Sequence, residues 1–548
     1  MGEYLLMKSS CSQAHRTGAY YTPPVLAQTI VSLAAGERRD GFRSVLEPSC
    51  GDGSFLVPLG AFDATRRASV TAFDIDPVAA AAARAKAPRA DVRCGDFFDF
   101  CALALPERRR FDLIVGNPPW VCYQTMSAPE RKKLRDVQQF LGLDGNGLSN
   151  LWIPFTTACV SLLEQDGLIV LLLPCDILWG SAAGELRAFL LRELAELTII
   201  PFAEPFPNLE QSMTLLLGRN NGKKGVSPTK FRTVPLSSWR DLPKIADKLA
   251  VPFSAILPTE RKWTPYLLDD EGRRVAETIT TGTAKLVPFS RIADVSVGVT
   301  TGRDEFFVVG PQTVAEWRLA SAAVPMVTPK ELRRCGLRLH ERDNNAPFLL
   351  YFPNLPLARY PRLWRNFIEE AETKGLHKNY KCAIRSPWYV LPQHTSPDAF
   401  MSSVVHALPR LVLSDGRSTS TDALRHVRFA SHVDTAKVAV SFYNSATLLS
   451  AELAGRIYGG GALQLTPGDI RSVAVPDPTR FELAEGTANE VDALLAGRRY
   501  EDAISLVDRQ VLVEGLGLDE QFCAAAHNAW RTLRDRRLRR AAAGPQSG

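Results

Sequence analysis

From about residue 43 to residue 220, short apolar runs alternate with helix-like stretches: "SVLEPSCG", "SVTAFDID", "FDLIVGN", "GLIVLLLPC", "LTIIPF" and "MTLLLG". Strands separated by helical patterns imply βαβ units, so a doubly wound α/β domain with a mainly parallel sheet covered on both faces is expected. The segment "AAAARAKA" between the second and third strands supplies good helix formers. A helical arm beginning near "YYTPPVLAQTIVSLAAG" precedes the first strand.

A chain of 548 residues is too long for one core, and roughly two to four domains are expected. With 45% hydrophobic and 23% charged residues it is an ordinary globular protein, which excludes disordered and fibrous classes. The N-terminus "MGEYLLMKSSCSQAHR" lacks the apolar core of a signal peptide and no later run approaches a membrane span, so the cytoplasm is the expected location. The ten cysteines form no CxxC pair and the eight histidines do not cluster with them, so reduced thiols and no metal site are expected. A net charge of +6 permits an anionic partner without demonstrating one. The basic tail "RTLRDRRLRR" fits either phosphate contact or a solvated helix end.

Four stretches carry chemistry. "LEPSCGDGSF" follows the first strand, where Gly51 and Gly53 let the backbone approach a nucleotide-like ligand or simply pack a helix on the strand. It is neither GxGxxG nor a triphosphate loop, which demotes dinucleotide dehydrogenases and P-loop ATPases. Asp74 ends the second strand in "AFDIDP", about twenty residues beyond the glycine loop, where a carboxylate accepts ribose hydroxyls; Asp76 suits a helix cap with Pro77 behind it. In "CGDFFDF", Asp96 and Phe97 suit either an acid and a cover for an adenine ring or a turn with a core phenylalanine.

The fourth stretch, "GNPPW", closes the fourth strand. Two prolines fix an extended corner, so the Asn117 amide oxygen and the Pro118 carbonyl can accept from one exocyclic NH2, with Pro119 stiffening the turn and Trp120 stacking on the ring. Such a corner points an amine lone pair at an electrophile.

The order "GAYYTPP", "LEPSCGDGSF", "FDIDP", "GDFFDF", "NPPW", "GLIVLLLPCDIL" resembles the gamma-class adenine-N6 DNA methyltransferases of bacterial restriction-modification systems, over about residues 17 to 220. The resemblance implies a Rossmann-like domain with S-adenosylmethionine as cofactor. It places Tyr21, Thr22 and Pro23 over the methionine moiety, Glu47 along it, Asp74 on the ribose and Asp96 on the cofactor adenine. It also implies that the target adenine is flipped from the duplex, with Trp120 where relatives more often have Tyr or Phe. Phe206 is the candidate second aromatic on the flipped base, with Phe202 as its rival, and Asn150 and Leu151 help line the cofactor pocket.

Beyond "GRNNGKKGVSPTK" the texture changes, and the next stretch reads as an extension of the first domain or a linker. The expected organisation is an arm over 1–42, a catalytic domain over 43–285, an α+β target-recognition domain over 286–480 and a C-terminal helical region with a basic tail over 481–548. The distal half is similar to target-recognition domains in "VSVGVTTGRDEFF", "RSPWY" and "GRIYGGGALQLTPGDIRSVAVP"; Arg303 and Arg417, then Arg425 and Arg428, are its candidate DNA contacts. The expected partners are double-stranded DNA, bound by a monomer, and a separate restriction endonuclease. Alternatives are a methyltransferase acting on protein glutamine or RNA, cytosine-N4 methylation, and a DNA-binding module without catalysis. The intact corner argues against the last.

Overall fold

The computed structural model describes residues 21–542, apart from residue 39 and the segments 122–125, 144–149, 205–211, 221–227, 246–248, 250, 257–258, 260, 340–342, 393–395 and 458–460. Met1–Leu267 together with Arg539–Gly548 form one compact unit, and Leu268–Leu538 form a second. The division lies earlier than the expected boundary at 285, because helix Asp270–Thr281 packs inside the second unit. There a side chain in place of Gly272 would meet Ala529 at 3.3 Å.

In the first unit, helix α1 (Pro24–Gly36) starts on a proline and its entry is closed by the Pro23 carbonyl, which accepts from Leu26 and Ala27. The chain then runs through β1 (Ser44–Glu47), β2 (Ser69–Asp74), α2 (Pro77–Lys86), β3 (Asp91–Cys94), α3 (Phe97–Ala104) and β4 (Phe111–Gly116). It continues with α4 (Ala128–Phe140), α5 (Trp152–Ser161), β5 (Leu163–Pro174), α6 (Gly184–Glu193), β6 (Glu196–Pro201) and β7 (Met213–Arg219). Strands β8 (Thr229–Thr233) and β9 (Ser254–Ile256) complete a nine-stranded sheet of order β3-β2-β1-β4-β5-β7-β6-β8-β9. The stretch beyond residue 228 is therefore an extension of this sheet.

The sheet is mainly parallel, with β7 antiparallel to both β5 and β6. Its centre is dry: Val45, Leu46, Leu113, Ile114, Val115 and the run Ile169 to Leu173 are buried, each side chain contributing about 1.5–3 kcal/mol. Asp112, buried in β4, accepts from the backbone amides of Arg43 and Ser44 at 2.8 and 2.7 Å, which fixes where β1 begins. The ends of β1 and β4 thereby lie side by side.

The second unit is built from small antiparallel sheets and helices. Ala293–Val297, Leu424–Phe429, Ala399–Ser402 and Leu411–Leu413 form its four-stranded sheet. A separate core gathers Phe306, Phe307, Phe352, Trp364 and Trp388. Within the basic tail Arg537 is buried, pairing with Glu452 at 2.7 Å and donating to the carbonyls of Val405 and Gly461, while Arg534 pairs with Glu501 and Asp535. For these two arginines neither phosphate contact nor a solvated end holds; they fasten the last helix. Among the described cysteines, Cys94 is exposed, seven are buried and all are free. No described helix is long and apolar enough to cross a membrane.

Candidate active site

Three loops at the carboxyl ends of β1, β2 and β4 converge with the residues that precede α1. Gly51 adopts φ +53°, and its amide donates to Asp74 Oδ2 at 2.7 Å while the Asp76 amide donates to Oδ1 at 2.9 Å. Asp74 thus ties the glycine loop to the end of β2, as a carboxylate gains most from charge-assisted backbone bonds. The Tyr21 ring lies on this loop so closely that a Cβ at Gly51 would be 3.1 Å from it. Burial and the carboxylates of Asp52, Asp76 and Asp74 raise the Tyr21 phenol above its ordinary value.

Asn117 is held from two sides. The Ser49 hydroxyl donates to its carbonyl at 3.0 Å, and its Nδ2 donates to Thr22 Oγ1 at 3.3 Å. Because the amide nitrogen is turned to Thr22, the amide oxygen faces the other way. Thr22, expected at the cofactor, is buried and orients the corner through this bond. The Leu151 amide donates to the Val121 carbonyl at 3.0 Å, tying the start of α5 to the stretch just past Trp120. Trp120 is 8% exposed, with Pro118 buried and Pro119 half-buried beside it.

Glu47 tests whether these residues suit a cationic cofactor. It is 1% exposed at the end of β1, and neither carboxylate oxygen has a hydrogen-bond partner among the described residues. Burial, and then the charges of Asp74 and Asp52, push its carboxyl well above the usual carboxylate range. A buried acid without donors is costly unless a cation or donor meets it, and the ammonium and sulfonium of S-adenosylmethionine supply that charge. With the Gly51 loop and Asp74 alongside, the residues present fit this cofactor.

Asp76 caps α2 by accepting from Val78 at 2.8 Å, with Pro77 next, as its cap pattern implies. Asp96 caps α3 through Phe98, and its other oxygen pairs with Lys133 of α4 at 2.6 Å. The Phe97 ring packs among Phe73, Phe98, Phe100 and Phe155, as its reading as a core phenylalanine implies. Phe202 is buried, bridged to Leu236 beside the sheet, and Phe206 lies outside the described residues. In the second unit Arg417 is exposed and Arg303 is half-buried. Arg425 is buried, donating to the Leu465 and Asp422 carbonyls, which removes it from the candidate DNA contacts.

Lys133 and Ile75 escaped the sequence reading. Lys133 sits in a charged run with no local sign of its partners Asp96 and Asp99. Ile75 could have been found: it directly follows Asp74 and is 72% exposed, an apolar side chain left in water beside the acid.

The relatives found by comparison with known proteins include Type II methyltransferases and, over 89 residues at 38% identity, a tRNA1(Val) (adenine(37)-N6)-methyltransferase of Porphyromonas gingivalis. Residues 80–206 match the family described as Eco57I restriction-modification methylase, and residues 260–512 match the C-terminal domain of Type II methyltransferase M.Eco57I. The chain is 20% identical to Type II methyltransferase M.AccI of Acinetobacter calcoaceticus over 486 residues, 84% of this chain and 86% of that one. It is 34% identical to Type II methyltransferase M.TthHB8I of Thermus thermophilus over 217 residues, 38% of this chain and 46% of that one. The structure of the Type IIL restriction-modification enzyme MmeI in complex with DNA shares the fold with a TM-score of 0.56 at 11% identity, covering 93% of this chain and 75% of that one. An Eco57I-type methylase region followed by an M.Eco57I-type C-terminal region, around a cradle that fits S-adenosylmethionine, makes this chain a homologue of the Type II restriction-modification methyltransferases.

Proposed function

We propose that this protein methylates the N6 amine of an adenine flipped from duplex DNA, as the modification partner of a separate restriction endonuclease in the bacterial cytoplasm. The observation that carries the reading is the Asn117 amide, whose nitrogen is held by Thr22 in the same cluster of loops as the buried Glu47. S-adenosylmethionine, when bound, supplies an electrophilic methyl group on a sulfonium.

Glu47 would answer the cofactor's positive charge, Asp74 its ribose and Asp96 its adenine, with Tyr21 and Pro23 closing over the methionine end and Gly51 and Gly53 giving backbone access. The Asn117 oxygen and the Pro118 carbonyl would accept both amine hydrogens of the target base, fixing its nitrogen toward the methyl group. Pro119 keeps the corner rigid. Trp120, and Phe206 from the β6–β7 connection, would hold the base. Asn117 is neutral and takes no proton, so the proton released from nitrogen goes to water. Arg303 and Arg417 would contact the DNA of a protein bound as a monomer.

The test is expression in a methylation-deficient bacterial host followed by sequencing that locates modified bases directly. N6-methyladenine at one recurring motif is expected, and its absence with Asn117→Ala. Modified cytosine, or unmodified DNA from a folded protein that binds S-adenosylmethionine, would overturn the acceptor named here.

A further inference from the structure

In the second unit a basic turn carries apolar side chains into solvent. Between Glu372 and Asp398 the chain has no acidic residue, yet it contains Lys374, Lys378, Lys381 and Arg385. The helical turn Tyr380–Ala383 lies within this stretch, and the Ile384 amide donates to the Tyr380 carbonyl at 3.2 Å. Tyr380 and Ile384 therefore share one face, and they are 77% and 67% exposed. The two side chains place a small apolar patch within a basic surface.

The turn is held rigidly from beneath. Arg385 donates to the carbonyls of Thr300 and Thr301, each at 2.7 Å. Gly302, at φ +84°, lies against Lys381 and Cys382 so closely that a Cβ would be 2.9 Å from the Lys381 Cβ, so only glycine permits this contact. Arg303 follows directly, and its charge, with that of Arg385, reaches the Cys382 thiol. Lys378 and Lys381 are exposed, and neither has an ion-pair partner among the described residues.

We propose that the segment Lys378–Ile384 is a contact element for duplex DNA, with Lys378 and Lys381 on phosphates and Tyr380 with Ile384 as an apolar wedge against sugars and base edges in a groove. The inference rests on the DNA substrate of the function proposed above. Charge selects the partner: an acid-free run of four cations fits a polyanion, and duplex DNA offers regularly spaced phosphates flanking apolar sugar and base surface. The element binds backbone and groove shape, so it adds affinity for any sequence.

The experiment uses the full chain and a fluorescent mixed-sequence duplex of roughly 30 base pairs, titrated at several salt concentrations. K378Q/K381Q is expected to lose at least about tenfold in affinity and to lower the slope of log affinity against log salt by roughly 1.8, two phosphates at about 0.9 each. Y380A/I384S should lose about tenfold with the slope unchanged. K378R/K381R should bind like the unaltered protein, which separates lost charge from lost structure. Melting temperature and S-adenosylmethionine binding, unchanged in all three, establish folding. Unaltered affinity and slope in both loss variants overturn the element and leave the function standing; no duplex binding by the unaltered protein overturns both.

Discussion

Both units of the chain fasten charges to the backbone by the same two devices, carbonyls holding buried Arg187 in the first unit and amides holding Asp415 in the second, but the examples that concern the two proposed contact surfaces differ in sign. In the first, backbone amides hold carboxylates: Asp74 takes Gly51 and Asp76, Asp76 takes Val78, Asp96 takes Phe98 and Asp112 takes Arg43 and Ser44. In the second, backbone carbonyls hold guanidiniums: Arg385 binds Thr300 and Thr301, Arg425 binds Leu465 and Asp422, and Arg537 binds Val405 and Gly461. Groups committed to the backbone shape the loops, whether or not they also meet a ligand. In the first unit Glu47 has no hydrogen-bond partner among the described residues; in the second the exposed cations include Arg417, Lys378 and Lys381.

The comparison breaks most visibly if a fastened charge proves dispensable. Glu452→Gln leaves buried Arg537 without its carboxylate and should cost about 3–5 kcal/mol, read by chemical denaturation of the full chain. A loss below 1 kcal/mol, about the worth of one ordinary hydrogen bond, would deny the pair its role.

Glu47 tests the other side of the contrast. Its folded pKa is raised, so over the window below that value it carries a proton that a bound cation must displace. S-adenosylmethionine affinity should therefore rise with pH, by about tenfold per unit, until the carboxyl is ionised, and then level off. Calorimetry in buffers of different ionisation enthalpy should detect the released proton, and Glu47→Gln should remove both the release and the pH slope. A flat profile in the unaltered protein would mean that no cation meets this acid.

Thr22→Val removes one hydrogen bond to the Asn117 amide and should cost about 1 kcal/mol, a roughly fivefold fall in kcat. Cofactor dissociation measured alongside should change less than kcat, since Thr22 orients the corner. The smallest effect concerns the arginines. Arg417→Ala should leave the melting temperature unchanged and lower the salt slope of DNA binding by about 0.9, whereas Arg425→Ala should lower the melting temperature through its lost carbonyl bonds.

The sheet and the corner were legible because their signals are local. Apolar runs bounded by turns named β1, β2, β4, β5, β6 and β7 of the methylase sheet, and the cap of Asp76 lies within two residues of the amide it binds. Thr22 with Asn117 was not legible, since 95 residues separate a hydroxyl from an amide that meet only once the arm folds back. Phe97 was ambiguous for a related reason. An aromatic after a strand reads alike whether it faces a ligand or the core, and its neighbours Phe155 and Phe73 come from distant parts of the chain. In the second unit arginines near turns looked alike in sequence, although burial of Arg425 and exposure of Arg417 divide them.

The reversed strand β7 has a consequence for how such a protein can change. Because it runs against β6, the connection between them leaves at Pro201 and returns at Met213 on the same edge of the sheet as the Asn117 corner. Its ends are pinned: the Phe202 amide donates to the Met213 carbonyl at 2.9 Å, and the Cys175 amide to the Ser212 carbonyl at 2.8 Å. Doubling such a pinned segment adds only about 0.6 kcal/mol of closure entropy. A longer connection there would reach further along the rim while β6 and β7 keep their register.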